Sequence, residues 1–309
     1  MSFKIKTAVC MLTFLGCSLL NPSKDNSDKN KQIALAALAL SASKTVCTSS
    51  SSTGSTVTNS TATLNSATGC VTGVNTCMDS ALPSWIRDNF KCSVAYLDGT
   101  NIVFKSQNLP NHKSYYWGSS SALFDSATAG NPSTIASQKM VYKIPGNAAK
   151  GSGTDSTQAG QVSIGITVNG LAIFNNAAAP PDVLKNEAVS FDSYSGHPES
   201  TGTYHHHAAV PMVCDGTTLV SNSASCNNSK LIGIALDGYA IYGQKCDKGT
   251  SSTSDDTAPT DLDSLHGHTA VTTHFSTATY HYHYAYDATA TIYTLMGSYF
   301  YGKQGSVSN

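Results

Sequence analysis

The stretch LIGIALDGYAIYG at residues 231–243 decides the fold, and SIGITVNGLAIFN at residues 163–175 repeats it. Each copy has alternating apolar residues on both sides of Asp-Gly or Asn-Gly. Alternation is typical of strands, and these dipeptides predict two-residue type I′ hairpins. Asp98-Gly99 predicts a third hairpin. We therefore expect an all-β or β-rich fold, built from hairpins as a sandwich or as barrel-like sheets. In the region of the predicted hairpins, the one fair helix candidate is short and runs from Ala81 to Asn89.

The duplication continues beyond the hairpins into a set of histidines. Each copy has, in the same order, an Asp-Ser pair, a Gly-His step and a Tyr-His-x-His run. These elements are Asp192-Ser193, Gly196-His197 and Tyr204 to His207 in the first copy, and Asp263-Ser264, Gly267-His268 and Tyr280 to His283 in the second. Six of the ten histidines occupy matching positions, which scattered core histidines would not do. We predict repeat units at about 162–210 and 230–286, related by a pseudo-two-fold axis.

The Tyr-His-x-His runs predict a metal site. Alternate residues of a strand share a face, so the two histidines of each run lie about 6.6 Å apart along the backbone on one face. Imidazoles placed in this way can share a transition metal such as Zn or Cu. The aspartates could act as ligands or could orient the ligand imidazoles. The predicted metal-site residues are His197, His205, His207, His268, His281, His283, Asp192 and Asp263. The two copies could form one shared site or two equivalent sites.

Three kinds of function fit this pattern. The first is a protein that binds a transition metal. The second is a metal-assisted hydrolase or a redox enzyme, since zinc catalysis needs three protein ligands and an open position. No His-Glu-x-x-His and no nucleophile elbow occurs in the sequence, so no catalytic residue can be named. The third is a metal-free surface module for binding or adhesion, in which tyrosine hydroxyls and imidazoles satisfy one another.

The N-terminus predicts export. Lys4 and Lys6 precede an apolar run from Thr7 to Gly16, which is too short to span a bilayer, and Cys17 follows. This arrangement resembles a bacterial lipoprotein signal. It predicts a signal peptide at residues 1–16, an acylated Cys17 and a lipid-anchored protein of the cell envelope, on the outer-membrane, periplasmic or surface face. Plain secretion and a short retained membrane anchor are the alternatives.

Composition indicates which partners to expect, and it separates a predicted tether from a predicted folded domain. The net charge of −1 gives no reason to expect nucleic acid as a partner. The expected partner is the membrane, through the lipid, and no small-molecule or protein partner is identified. Twelve of the sixteen residues from Thr48 to Thr63 are Ser or Thr, a composition that buries little apolar surface. We therefore predict a disordered tether over residues 17–76 and a folded domain over residues 77–309.

Export makes the cysteines disulfide candidates. Seven follow Cys17, an odd number, so at least one is free or paired between chains. Cys214 and Cys226 bracket a polar loop and are the best candidate pair, and Cys70 and Cys77 are a weaker one. The seven are Cys47, Cys70, Cys77, Cys92, Cys214, Cys226 and Cys246.

These motifs resemble the YHYH-domain proteins of bacterial envelopes, a family named for the run at Tyr280 to His283. The resemblance covers roughly residues 91–305. Its motifs are Leu109 to His112, Leu236 to Tyr239, both Gly-His steps, both Tyr-His runs and the closing stretch Tyr293 to Gly302. The first run departs from the family pattern, since His206 stands where the family usually has Tyr. The resemblance implies a domain identity and the place of a site, and it implies no reaction.

Overall fold

A computed structural model describes residues 44–126, 130–153, 155–157, 163–208, 228–250 and 252–309. Thr45–Asn309 form one compact unit. The predicted signal peptide, the acylated Cys17 and the predicted Cys214–Cys226 pair lie outside the described residues. Among the residues that are described, no helix has the length and apolarity needed to cross a membrane.

The predicted β-rich fold is confirmed. The described residues contain two single-turn α-helices, α1 (Ser84–Arg87), inside the predicted helix, and α2 (Leu184–Glu187). The strands are β1 Leu64–Asn65, β2 Cys70–Val71, β3 Cys77–Met78, β4 Val94–Asp98, β5 Asn101–Ser106, β6 Met140–Pro145, β7 Gly165–Thr167, β8 Ala172–Ile173, β9 His197–Pro198, β10 Tyr204–His206, β11 Leu231–Ala235, β12 Ala240–Tyr242, β13 Gly267–Ala270, β14 Thr279–His283, β15 Ala285–Asp287, β16 Ile292–Thr294 and β17 Ser306–Ser308.

The duplicated sequence forms one eight-stranded sheet with internal pseudo-two-fold symmetry. Its order is β13-β14-β12-β11-β7-β8-β10-β9, so the two copies meet at the antiparallel pair of β7 and β11. Ile166 pairs with Ile234 at the centre of this contact. A half-turn about the pseudo-two-fold axis exchanges the residue pairs on either side of this central pair. Gly165 and Gly233 permit this close pairing, because a Cβ on either would overlap the carbonyl oxygen of the opposite isoleucine.

A second sheet has five strands in the order β17-β6-β5-β4-β3. It shares one hydrophobic core with the eight-stranded sheet. Phe104 and Ile144 from the five-stranded sheet and Ile166 and Ile234 from the eight-stranded sheet belong to one buried cluster. Each fully buried side chain of this size contributes about 1.5–3 kcal/mol. Apolar alternation in the two repeats therefore stabilises a layered arrangement of two sheets.

The hairpins form where predicted, but not with type I′ turns. That turn needs positive φ at both central residues, whereas positive φ occurs at Gly170 (80°) and Gly238 (92°) and not at the preceding Asn or Asp. Thr167 N donates to Leu171 O and Gly170 N donates to Thr167 O. This is a three-residue loop closed by a glycine, and the second copy has the same pattern.

The predicted tether differs from the structure over residues 45–76. Two disulfides, Cys47–Cys77 and Cys70–Cys92, bind this segment to the domain, so the predicted Cys70–Cys77 pair is wrong. Asn59 also donates to the carbonyl oxygens of two loop residues, at 2.8 and 2.9 Å. Crosslinks and hydrogen bonds hold a segment whose composition lacks apolar surface. Composition alone predicted flexibility because it does not include these constraints.

Candidate metal centres

The first Tyr of each run positions the strand that carries the histidines. Tyr204 on β10 donates its hydroxyl to both carboxylate oxygens of Asp192, at 2.9 Å each. The same carboxylate accepts the N–H of Tyr194 at 2.8 Å and that of Gly196 at 3.3 Å. A Cβ on Gly196 would overlap the Tyr204 ring and hydroxyl. The Asp, the Gly-His step and the Tyr are therefore one packing unit.

The second copy repeats this unit. Tyr280 donates to both carboxylate oxygens of Asp263, at 3.1 and 2.9 Å, and a Cβ on Gly267 would overlap Tyr280. The prediction that Asp192 and Asp263 are metal ligands, or hold ligand imidazoles, is not supported. Their carboxylates bind tyrosine hydroxyls and backbone amides instead, and neither belongs to a group of converging ligand atoms in the described residues.

The first histidine cluster consists of His197 on β9, His205 on β10 and His207 directly after β10. His197 and His205 are cross-strand partners, as the strand pattern requires. One nitrogen from each of the three converges, with all three atoms within 4.8 Å of one another. Each of the three residues is only 3% exposed. Their burial removes water as a general partner for the ring nitrogens.

Hydrogen bonds fix which nitrogen of each ring carries the proton. His205 Nδ1 faces the Thr203 carbonyl at 2.9 Å, and His207 Nδ1 faces the Asn175 carbonyl at 2.6 Å. A carbonyl only accepts, so both Nδ1 atoms carry the hydrogen. His197 Nδ1 lies 2.6 Å from Ser190 Oγ. Since that hydroxyl donates to the Glu187 carbonyl at 2.8 Å, it accepts from His197.

The three Nε2 atoms of the first cluster are therefore bare lone pairs. His205 Nε2 and His207 Nε2 lie 3.0 Å apart with no hydrogen between them, and His197 Nε2 has no hydrogen-bond partner. Protonation is disfavoured, because burial lowers the pKa of His207 to about 4 and that of His197 to about 3. Burial also holds the pKa of His205 well below its ordinary value. Three neutral imidazoles that direct lone pairs at one point are a ligand set for a cation.

The second cluster has the same arrangement at the other edge of the sheet. His268 on β13 donates from Nδ1 to Asp261 Oδ1 at 2.8 Å, and His283 on β14 donates from Nδ1 to the Gly243 carbonyl at 2.7 Å. Their Nε2 atoms lie 3.2 Å apart. Cys246 Sγ lies 3.4 Å from His268 Nε2 and completes a group within 4.8 Å.

His281 packs against this second group. Its ring centroid lies 4.8 Å from that of His268 and 4.9 Å from that of His283. Its Nδ1 donates to the Thr279 carbonyl at 2.9 Å, and its buried Nε2 has no hydrogen-bond partner. Burial lowers the pKa of His281 to about 4 and that of His283 to about 3. The ligand atoms that converge in the second cluster are those of His268, His283 and Cys246, and the His281 ring packs against them.

Cys246 is protonated when no cation is present, because burial raises its pKa to about 11, with Asp261 adding to the effect. A coordinating metal removes the proton from such a thiol. Cys246 is the free cysteine of the described residues. The odd number of cysteines required at least one that is free or paired between chains, but it did not show which one. Cys246 reaches the cluster because it follows the end of β12.

The structure decides between one shared site and two equivalent sites. β10 and β14 lie five strand steps apart in the eight-stranded sheet, which corresponds to about 24 Å. The shared-site alternative is therefore wrong, and the six matched histidines divide into two clusters. Sequence reasoning missed Cys246, Ser190 and Asp261. Ser190 and Asp261 belong to neither repeated motif, and so no sequence signal marked them.

Comparison with known proteins gives a match to one family model. No curated protein and no solved structure matches the chain. A family model described as YHYH protein matches residues 141–260, which include the whole first cluster and Cys246. This match confirms the resemblance found in the motifs: residues 141–260 are similar to the YHYH family, which supports a YHYH-domain protein.

Proposed function

We propose that this YHYH-domain protein binds a transition metal ion, Zn or Cu, in each of its two histidine clusters. One observation carries the proposal. In both clusters two Nε2 atoms face each other at 3.0 or 3.2 Å while their Nδ1 hydrogens are held by fixed acceptors. Two lone pairs at that separation repel each other unless a cation lies between them. Imidazole suits Zn and Cu, and a thiolate suits Zn and Cu(I).

The hydrogen bonds at Nδ1 support the same proposal. Metal-bound histidines regularly donate the other ring N–H to a carbonyl or carboxylate, which orients the ring. Here the acceptors are Thr203, Asn175, Ser190, Thr279, Gly243 and Asp261. The rings are thus held in the orientation for binding before any ion arrives.

The metal-free network of tyrosines and histidines has less support. It requires tyrosine hydroxyls to satisfy the clustered imidazoles. Tyr204, Tyr280 and Tyr282 instead donate to the carboxylates of Asp192, Asp263 and Asp237. The second Tyr of the Tyr-His-Tyr-His run therefore stabilises the hairpin turn at Asp237, on the side of the strand away from the ligand imidazoles.

We also propose that the protein is exported and anchored to the envelope membrane through Cys17. The support is the N-terminal pattern of two lysines, a ten-residue apolar run and a cysteine. Radiolabelled palmitate should be incorporated into the full-length protein and lost in Cys17→Ser. An unlabelled wild-type protein recovered in the medium would overturn this part of the proposal.

Metal analysis of untagged protein tests the central part. Mass spectrometry should find two equivalents of metal per chain in the wild type. His207→Ala and His283→Ala should each lose one equivalent, and the double variant should lose both. His274→Gln is the matched control, because this histidine lies outside both clusters and its variant should keep two equivalents. Folded wild-type protein that takes up no stoichiometric Zn or Cu from a metal-buffered solution would overturn the proposal.

A further inference from the structure

The two clusters differ in what surrounds them. A cavity of about 620 Å³ borders the first cluster, and His205 and His207 form part of its wall. Phe174, Asn175 and the segment 177–180 form another part. The first cluster therefore has an open side that is large enough for a small molecule.

The second cluster has a thiol at the equivalent position. Asn175 and Gly243 correspond, because each accepts the Nδ1 hydrogen of the last histidine in its own copy. Three residues further along the chain are Ala178 in the first copy and Cys246 in the second. Ala178 lines the cavity, whereas Cys246 lies against His268.

A carboxylate with an unused acceptor stands beside the open cluster. Glu187 lines the cavity, and its Oε1 lies 3.8 Å from His197 Nε2. Its Oε2 is buried and has no hydrogen-bond partner. A buried carboxylate oxygen without a hydrogen bond lowers the stability of the fold unless a donor reaches it.

The charge of the cavity limits what can enter. Among the described residues, the charged side chains that line it are Glu187 and Glu199, and none is a Lys or an Arg. Glu199 is already satisfied, since its carboxylate accepts hydrogen bonds from the backbone N–H groups of Thr201 and Thr203. The wall therefore disfavours anions, and Glu187 offers an unused carboxylate oxygen to a ligand.

We propose that the first cluster holds its ion with one exchangeable coordination position that faces the cavity. This position takes a small uncharged ligand that coordinates the ion and donates a hydrogen bond to Glu187, the class that contains water, alcohols and azoles. In the second cluster Cys246 supplies a thiolate at the corresponding position. A first cluster with three protein ligands fits the zinc sites that keep an open position for an exchangeable ligand. The inference rests on the proposed metal binding.

Cobalt-loaded full-length protein provides the test, because cobalt–thiolate absorption marks the second cluster alone. Imidazole, the probe, should change the visible bands of the first cluster with a stoichiometry of one. It should leave the thiolate band and the cobalt content unchanged. His207→Ala should abolish the response, whereas Cys246→Ser should remove the thiolate band and keep the response.

Two further variants test the assigned roles. Glu187→Gln should weaken imidazole binding by about tenfold, through loss of a charge-assisted hydrogen bond, and should strengthen azide binding, while cobalt content stays the same. A purely structural role would not move the two probes in opposite directions. Ala178→Cys should add a second thiolate band and abolish imidazole binding.

The outcomes separate the two proposals. Two bound cobalt ions with no imidazole response, or with a response at the thiolate band, would overturn this inference and leave the proposed function standing. Loss of cobalt in Glu187→Gln would make Glu187 a ligand and would also overturn the inference. A folded chain that binds no cobalt in either cluster would overturn the proposed function itself.

Discussion

Acid should destabilise the metal-free protein, and His112 gives the size of the effect at one position. This side chain is 4% exposed and stacks on Tyr194 with a ring separation of 4.1 Å. Its Nδ1 donates to the Lys113 carbonyl at 3.0 Å, and its Nε2 is buried without a hydrogen-bond partner. Burial lowers the pKa of His112 from its ordinary value of 6.5 to about 4. This difference corresponds to about 3 kcal/mol of folding free energy.

The direction follows from which state binds the proton. Between pH 6.5 and pH 4 the unfolded chain protonates this histidine and the folded chain does not. The contribution of His112 is therefore complete above pH 6.5 and is lost as the pH falls through this window. Burial raises the pKa of Asp192 to about 7, which has the opposite sign, since its contribution is lost as the pH rises toward 7. In this pH range the buried histidines with a lowered pKa outnumber the carboxylates with a raised pKa. Acid should therefore destabilise the protein overall.

Urea denaturation at a series of pH values, with a chelator present, measures the effect. His112→Phe keeps a ring against Tyr194 and removes the titrating group. The free energy of unfolding of the wild type should fall more steeply between pH 7 and pH 4 than that of the variant, by about 3 kcal/mol over the range. Asp192 is present in both proteins, so its contribution cancels. Parallel curves would refute the assignment of His112 as a buried neutral group.

Three more predictions concern the scaffold. Gly267→Ala should lower the free energy of unfolding in chelator by about 1–3 kcal/mol, because the new methyl overlaps a tyrosine ring, and an unchanged value would contradict the packing unit. Ser190→Ala should weaken metal binding about 10–100-fold at the first cluster and Asp261→Ala similarly at the second, as competition titration can show. If either variant weakened metal binding equally at both clusters, the assigned hydrogen bonds would be contradicted. Replacing Cys47 and Cys77 by Ser should cost about 2–5 kcal/mol and make the Ser/Thr-rich segment sensitive to limited proteolysis. Unchanged resistance would contradict the role of this disulfide.

Several parts of the architecture could be predicted because they depend on local pattern. Alternation around Asn169-Gly170 and Asp237-Gly238 predicted hairpins, and the repeated order of motifs predicted the pseudo-two-fold repeat, which the structure joins in one sheet. Strand periodicity also placed His205 and His207 on one face. The turn type was missed, since both the two-residue and the three-residue loop use Asn-Gly or Asp-Gly, and the sheet decides between them.

The parts that could not be predicted depend on contacts between distant segments. Asp192 lies close in sequence to His197, which suggested coordination, but its carboxylate is taken by the hydroxyl of Tyr204. Cys246 was one of several disulfide candidates, and only the path of the chain after β12 brings it to His268. Ser/Thr-rich composition predicted disorder, and two disulfides overrode it. In each case a tertiary partner decided the outcome.

Anomalous diffraction at the absorption edge of the bound metal is the most direct test of two separate metal centres. Crystals of the full chain grown with zinc should give two anomalous peaks per molecule. One should lie about 2.0–2.1 Å from the Nε2 atoms of His197, His205 and His207, and the other at the same distance from those of His268 and His283, with Cys246 Sγ at about 2.3 Å. Ordered imidazoles with no anomalous peak at either cluster, or a single peak away from both, would contradict the account.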